Sequence, residues 1–476
     1  MQDKLSMKIY FLVFGLAIST ISFGQKTEDR LSTAFKTFEN DAQFKHASIS
    51  LYVVDSKTGK PVFDKNSELG LATASTLKVV TSTAAFELLG KDYRYKTDIG
   101  YNGTITGNTL NGNLFITASC DPTLGSWRWD NTTMDTVLQR ILAALKVNNI
   151  TAITGDIIID ESKWSTQGTP NGWTWDDIGN YYGAGARALN WHENQYDLIL
   201  SPGKNTGDAV EVVKTEPLLK STLINELKTG KPGSGDNSII YLPENGETGF
   251  VRGTVENGAK NITVSGAMPN AAFSFSEHLK AFLLKNDIDY SGKSMSSVYY
   301  FINKEKMPVP AKTLMSFYSP SFDSINYWFL QKSVNLFGEA FVKTMAYEKT
   351  GFGSTEAGVD IIKDLWTKKG IERSALNMID GSGLSPANRV TTNALVTVMQ
   401  YASKQNWFSS FYNALPEQNG IKMKSGYIGG VRSYTGYIKS KTGAEYTFAF
   451  IINNFDGSPG AVREKMWKLL DLLKAP

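Results

Sequence analysis

Apolar and polar positions alternate with a period of two over residues 47–55, break at Ser56-Lys57-Thr58-Gly59-Lys60, and resume over 61–64. That pattern predicts a β-hairpin. Over 75–89 the spacing becomes helical, and Gly90 stands where a helix C-cap belongs. From 98 to 298 short strand patterns alternate with Gly, Asn and Thr turns; 153–160 reads as one strand and 134–147 as a helix. A Gly/Pro/Ser loop occupies 230–237. Beyond Pro320 the pattern is helical over 324–332, 337–349, 354–369 and 392–404, then strand-like over 420–453. Residues 459–473 close the chain as an amphipathic helix with Val462, Met466, Leu469, Leu470 and Leu473 on one stripe. The two ends therefore predict one α/β domain, a sheet flanked by helices, interrupted by a largely β insertion of one or two small domains.

The N-terminus carries lysines up to Lys8, an apolar run over 9–23, and then the polar Lys26-Thr27-Glu28-Asp29-Arg30. This is the layout of a secretory signal peptide over 1–24, with Met7 as an alternative start. The run is short for a spanning helix, which needs about 20 residues; an uncleaved anchor is the competing reading. A chain of 476 residues calls for two or three domains. With 41% hydrophobic and 20% charged residues it is a packed globular protein. Net charge is only +3 and no basic run stands out, so nucleic acid is not an expected partner. One cysteine, Cys120, excludes an internal disulfide. The three histidines, His46, His192 and His278, lie far apart and give no metal-site spacing, so the chemistry is expected to run without metal or other cofactor.

Three short motifs could carry chemistry. Ser75-Thr76-Leu77-Lys78 places a hydroxyl and an amine three residues apart, on one helical face; a desolvated lysine can act as base for such a hydroxyl. The competing reading of Ser75 is an N-cap serine. Ser201-Pro202-Gly203-Lys204 repeats the spacing, but its Pro and Gly predict a turn. Ser333-Val334-Asn335 sets a hydroxyl and an amide on a short loop before a new helix, where they could pass a proton and hold an amide, or simply turn the chain. Ser324-Ile325-Asn326 just upstream reads as an N-cap. Lys424-Ser425-Gly426-Tyr427 lies on a strand whose edge would suit an extended peptide with a terminal carboxylate, Gly426 allowing close approach. Lys-Thr-Gly recurs at Lys57, Lys228, Lys349 and Lys441. Three of these read as turns, Lys441 among them as the tip of a hairpin, and Lys349 as a helix end.

Ser-x-x-Lys, Ser-x-Asn and Lys-Ser/Thr-Gly in this order are the motif set of serine β-lactamases and penicillin-binding proteins. The chain resembles the D-alanyl-D-alanine carboxypeptidase/endopeptidase family of low-molecular-mass penicillin-binding proteins, which carry a large insertion after the Ser-x-x-Lys helix. Asp121-Pro122-Thr123-Leu124, Gly172-Trp173-Thr174-Trp175-Asp176-Asp177, Asp380-Gly381-Ser382-Gly383-Leu384-Ser385 and Asn388-Arg389-Val390-Thr391 strengthen the likeness. Thr73 stands where the family has Pro, Ala118-Ser119-Cys120 where it is glycine-rich, and Ser425 where Thr is commoner. The resemblance implies a serine β-lactamase/DD-peptidase-like catalytic domain over 26–97 and 299–476, with the insertion at 98–298. It implies Ser75 as nucleophile, Lys78 as its base, Ser333 as proton relay supported by Lys424, and Asn335 as positioner. Lys424 and Ser425 would hold the substrate carboxylate, and Gly426 and Tyr427 would flank the oxyanion site. Expected partners are peptidoglycan stem peptides, with β-lactams as covalent inhibitors, in the periplasm or on its membrane surface. A weakly active wall-binding relative, or a β-lactamase or esterase, are the alternatives, and oligomeric state stays open.

Overall fold

The structure, a computed structural model, describes residues 28–258 and 261–475; the leader expected over 1–24 lies outside them. No helix among the described residues is long and apolar enough to cross a membrane. Contacts divide the chain into two compact units, Met1–Thr83 with Trp366–Met378 and Pro386–Pro476, and Ala84–Leu365 with Ile379–Ser385.

The first unit is built on a six-stranded antiparallel sheet. Its order is Pro61–Lys65, Ser48–Asp55, Glu445–Asn453, Val431–Lys439, Ile421–Ile428 and the short Glu417–Gln418. Strand periodicity decides what each face holds. Ile49, Leu51, Val53, Met423, Tyr434, Phe448, Phe450 and Ile452 pack on one side. There they meet Leu31, Phe35 and Phe38 of a helix over 28–39 and the predicted stripe of the Pro459–Lys474 helix. The other face is unusually polar for a buried surface: Ser50, Lys424, Ser433, Thr435 and Thr447 are all buried. Each hydroxyl there has a partner. Ser50 Oγ meets Thr392 Oγ1 at 2.6 Å and Thr435 Oγ1 donates to the Phe448 carbonyl at 2.8 Å. The Thr392–Ala402 helix covers this side, held also by Tyr437 Oη on the Met399 carbonyl at 2.7 Å.

The second unit carries a five-stranded sheet in the order Ser294–Ser296, Ile157–Asp160, Leu114–Thr117, Lys96–Tyr101, Lys312–Tyr318, together with three smaller sheets. The Met134–Val147 helix forms as predicted, capped by Thr133. The single strand expected over 153–160 is corrected: Ala152–Ile153 and Ile157–Asp160 are separate strands in different sheets. Gly155 sits at the break, where a Cβ would come within 2.4 Å of the Gly112 carbonyl oxygen, so the chain bends through a spot only glycine fits. Lys228-Thr229 is likewise not a turn but a two-residue strand parallel to Thr254-Val255. Helices Phe322–Gln331 and Asn335–Thr350 follow. The N-cap of the first is Ser321, which accepts from the Ser324 amide, and not Ser324 as expected; Ser324 Oγ instead accepts from Trp129 Nε1 at 2.9 Å.

Candidate active site

Ser75 lies in a 3-10 turn, Ala74–Leu77, and the α-helix proper starts at Lys78. Three residues per turn set positions i and i+3 directly above one another, and Lys78 Nζ is 3.0 Å from Ser75 Oγ. The N-cap reading of Ser75 is thereby corrected. Thr73 occupies the cap position without a side-chain cap bond, and the Ser75 hydroxyl takes its hydrogen bond from the lysine. Lys78 is fully buried, whereas Ser75 is partly exposed.

The turn is held under strain. Ala74 has a φ of 44°, a left-handed conformation that costs an L-residue about 1–2 kcal/mol. Neighbouring contacts offset it. The Thr73 carbonyl accepts from the Thr76 amide (3.3 Å), Thr76 Oγ1 (2.8 Å) and Ser433 Oγ (2.5 Å). Asn453 clamps Ala72 from both sides: its Oδ1 accepts from the Ala72 amide and its Nδ2 donates to the Ala72 carbonyl, each at 2.9 Å. Leu71 and Val390 exchange amide and carbonyl bonds at 3.1 and 2.9 Å.

Strand Ile421–Ile428 runs along this turn, and beyond the two-residue Glu417–Gln418 pairing it is the sheet edge. Gly426 is the point of closest approach. A Cβ there would stand 2.4 Å from Ser433 Oγ, 2.6 Å from the Thr73 carbonyl oxygen and 2.8 Å from the Ser75 nitrogen. Lys424 is on the same face two residues earlier and is buried; its Nζ donates to the Ser425 carbonyl at 2.9 Å. Burial pushes its ammonium down to about 7. Ser425 Oγ accepts from Gln418 Nε2 at 3.0 Å, which leaves the hydroxyl proton free to be donated elsewhere. Tyr427 is about half exposed, with the Arg432 guanidinium 5.7 Å from its ring centre. The first unit thus brings together Ser75, Lys78 and Gly426, with Lys424 on the same strand face, whereas the side chains of Ser425 and Tyr427 alternate to the opposite face.

Ser333 and Asn335 belong to the second unit. Ser333 turns the chain at a φ of 58° between two helices, and Asn335 opens the second of them. Asn335 Nδ2 donates to the Tyr182 carbonyl at 2.7 Å, so the loop is fixed and not a plain connection. Asp380 accepts from the Gly383 and Ser385 amides (2.7 and 2.8 Å) and from Trp173 Nε1 (2.9 Å), which makes Asp380-Gly381-Ser382-Gly383 a structural turn. Lys441-Thr442-Gly443 is the tip of the 431–453 hairpin, and Lys349-Thr350-Gly351 ends a helix with Gly351 at a φ of 80°. Sequence reading missed Gln418, Ser433 and Asn453. Only Gln418 had a local signal: Asn419-Gly420, with φ of 51° and 65°, is the tight hairpin turn that folds it back.

Comparison with known proteins accords with this geometry. A model of the D-Ala-D-Ala carboxypeptidase 3 (S13) family matches residues 31–417. A D-alanyl-D-alanine carboxypeptidase of Actinomadura sp. strain R39 is 23% identical over 454 residues, 89% of this chain and 81% of that protein. The D-alanyl-D-alanine carboxypeptidase DacB of Haemophilus influenzae is 22% identical over 416 residues, 83% of each chain. The crystal structure of penicillin-binding protein 4 from Haemophilus influenzae superposes with a TM-score of 0.78 at 20% identity, covering 91% of this chain and 97% of that one, and so shares its fold. With a family match over most of its length and the serine and lysine of its first motif in hydrogen-bond contact, this chain belongs to the D-Ala-D-Ala carboxypeptidase 3 (S13) family of serine peptidases.

Proposed function

We propose that the protein cleaves the D-Ala-D-Ala type bond of peptidoglycan stem peptides through an acyl-enzyme on Ser75, as a carboxypeptidase, an endopeptidase or both. The observation that carries this reading is the 3.0 Å contact between Lys78 Nζ and Ser75 Oγ. Lys78 takes the hydroxyl proton as Oγ bonds to the carbonyl carbon of the penultimate D-Ala. The Ser75 and Tyr427 amides stabilise the oxyanion. As the C–N bond breaks, the proton returns to the leaving amine through Ser333, with Asn335 holding Lys78 and the substrate amide in place. Lys424 and Ser425 receive the substrate carboxylate; the place of Lys424 on the same strand face as Gly426, which meets the Ser75 turn, supports that role for the lysine. Water then hydrolyses the ester and frees Ser75. The motif order supports a catalytic domain over 26–97 and 299–476 around an insertion at 98–298. The N-terminal apolar run supports export to the periplasm.

A β-lactam would acylate the same serine and leave slowly. The Haemophilus influenzae penicillin-binding protein 4 has been solved complexed with a novel β-lactam. The test is incubation of the wild type and a Ser75→Ala variant with a fluorescent penicillin, followed by a denaturing gel. Label on the wild type alone establishes the nucleophile. No label on folded wild type sinks the peptidase reading in favour of a wall-binding role, and label that is rapidly lost favours a β-lactamase.

A further inference from the structure

In the second unit, residues 297–311 leave one edge of the five-stranded sheet at Ser294–Ser296 and rejoin it at the other edge, at Lys312–Tyr318. Four strand spacings make this a crossing of roughly 20 Å. The inner side of the crossing is satisfied: Tyr300 and Met307 pack with Met295 on Phe115 and Ile158 of the sheet. The outer side is not. Phe301 is 83% exposed, Ile302 69% and Val309 67%, with Tyr299 also open. Large apolar side chains that protrude from a segment already anchored by other residues mark an interaction surface.

Along the segment itself the charge is one-sided, Asp156 of the neighbouring strand region being an acidic neighbour that accepts from the Lys293 amide at 2.8 Å. Lys293, Lys304, Lys306 and Lys312 face a single acidic residue, Glu305, within 293–313, in a chain whose total net charge is only +3. All five are exposed. The tip is also preformed. Lys304 ends the Ser297–Asn303 helix at a φ of 56°, its amide donates to the Phe301 carbonyl at 3.3 Å, and the Glu305 amide donates to that of Tyr300 at 2.9 Å. Docking would therefore order little new backbone. Lysine is depleted from the cores of protein–protein interfaces. Apolar and aromatic residues rimmed by lysines are the signature of a surface that sits in the headgroup boundary of a bilayer.

We propose that this crossover is a membrane-docking face, which lays Phe301, Ile302 and Val309 into the acyl boundary of an anionic bilayer while Lys304, Lys306 and Lys312 contact its headgroups. The proposal rests on the reading that the chain is exported and so meets a membrane surface. The test uses the full chain with Phe301→Cys, or in parallel Ile302→Cys, carrying an environment-sensitive fluorophore. Cys120 is fully buried and does not compete for the label. The apolar run at 9–23 is common to all variants, so the differences between variants report this surface. Vesicles of phosphatidylethanolamine with phosphatidylglycerol should shift the emission to the blue and raise it several-fold. Vesicles of phosphatidylcholine should leave it unchanged. Adding Lys304→Glu and Lys306→Glu should weaken the response by at least about fivefold per lysine. Unchanged emission on anionic vesicles overturns the proposal, as does an equal response to neutral ones. A shift that follows protein concentration without vesicles overturns it too, and assigns the face to a second copy of the chain. Penicillin labelling of the same samples reports the Ser75 site separately, so failure of one reading does not conceal the state of the other.

Discussion

Lys424 is the residue whose replacement should separate stability from function most sharply. It is buried, its ammonium is lowered from an ordinary 10.5 to about 7, and desolvation is the cause. At about 1.4 kcal/mol per tenfold, that displacement amounts to roughly 5 kcal/mol, an upper bound on what a buried ammonium costs the fold. The sign follows from proton counting. Below pH 7 both folded and unfolded chains carry the proton, and the full cost is present. Between about 7 and 10.5 only the unfolded chain keeps it, so stability rises with pH through that window. Lys424→Met keeps the volume, removes the charge, and loses the bond to the Ser425 carbonyl, worth about 1 kcal/mol. Allowing for relaxation, the variant should be about 3 kcal/mol more stable at pH 6, a rise in Tm of roughly 3 °C for a chain of this length. The gain should vanish near pH 10. Thermal melts of wild type and variant at the two pH values, read beside fluorescent-penicillin labelling, provide the assay. The stabler protein should label far more slowly. A variant that melts lower than wild type at pH 6, or a difference independent of pH, refutes the argument.

Three further outcomes are expected. If Lys424 holds the substrate carboxylate as ammonium, kcat/KM for a carboxylate-terminated peptide should fall as pH rises through about 7; Lys424→Arg should abolish that fall, and a flat wild-type profile from pH 6 to 9 would exclude the role. Gly426→Ala would force a methyl against the Thr73 carbonyl and the Ser75 nitrogen, and should slow acylation on the order of 10–100-fold while the protein stays folded by circular dichroism. Asn453→Ala deletes both bonds to the Ala72 backbone and should cost about 1–3 kcal/mol, visible as a lower Tm, and slow acylation through relaxation of the strained Ala74 turn.

What could be read from the sequence was what repeats or what is local. The stripe of the closing helix, the first hairpin and the Lys424 strand all show their period directly in side-chain order. Ser75 and Lys78 were legible as a pair because three residues bring two side chains together in any helical turn; that the turn is 3-10 was not, since its tightness comes from Ser433 and Asn453, over 350 residues away. The break at Gly155 was invisible for a similar reason, as it depends on the chain passing beside Gly112. The polar face of the six-stranded sheet reads as ordinary alternation in each strand, and only pairing the strands shows Ser50, Lys424, Ser433, Thr435 and Thr447 buried together. Nothing local distinguishes exposed Phe301 and Ile302 from buried Tyr300; the difference shows only once the sheet they cross is seen to be filled by Tyr300 and Met307.

The clamp of Asn453 on Ala72 has a consequence for how the enzyme is made. The turn that carries Ser75 is held by a strand made about 400 residues later than Ser48–Asp55, with which it pairs residue for residue. Contacts of such span close late in folding. Until Glu445–Asn453 is in place, the Ser48–Asp55 strand lacks a central neighbour and the Ala74 turn lacks its Asn453 clamp, so the chain can be synthesised past all three motifs and still have no armed serine. Premature termination anywhere before Asn453 should therefore yield a protein without acylating activity, however intact its three motifs.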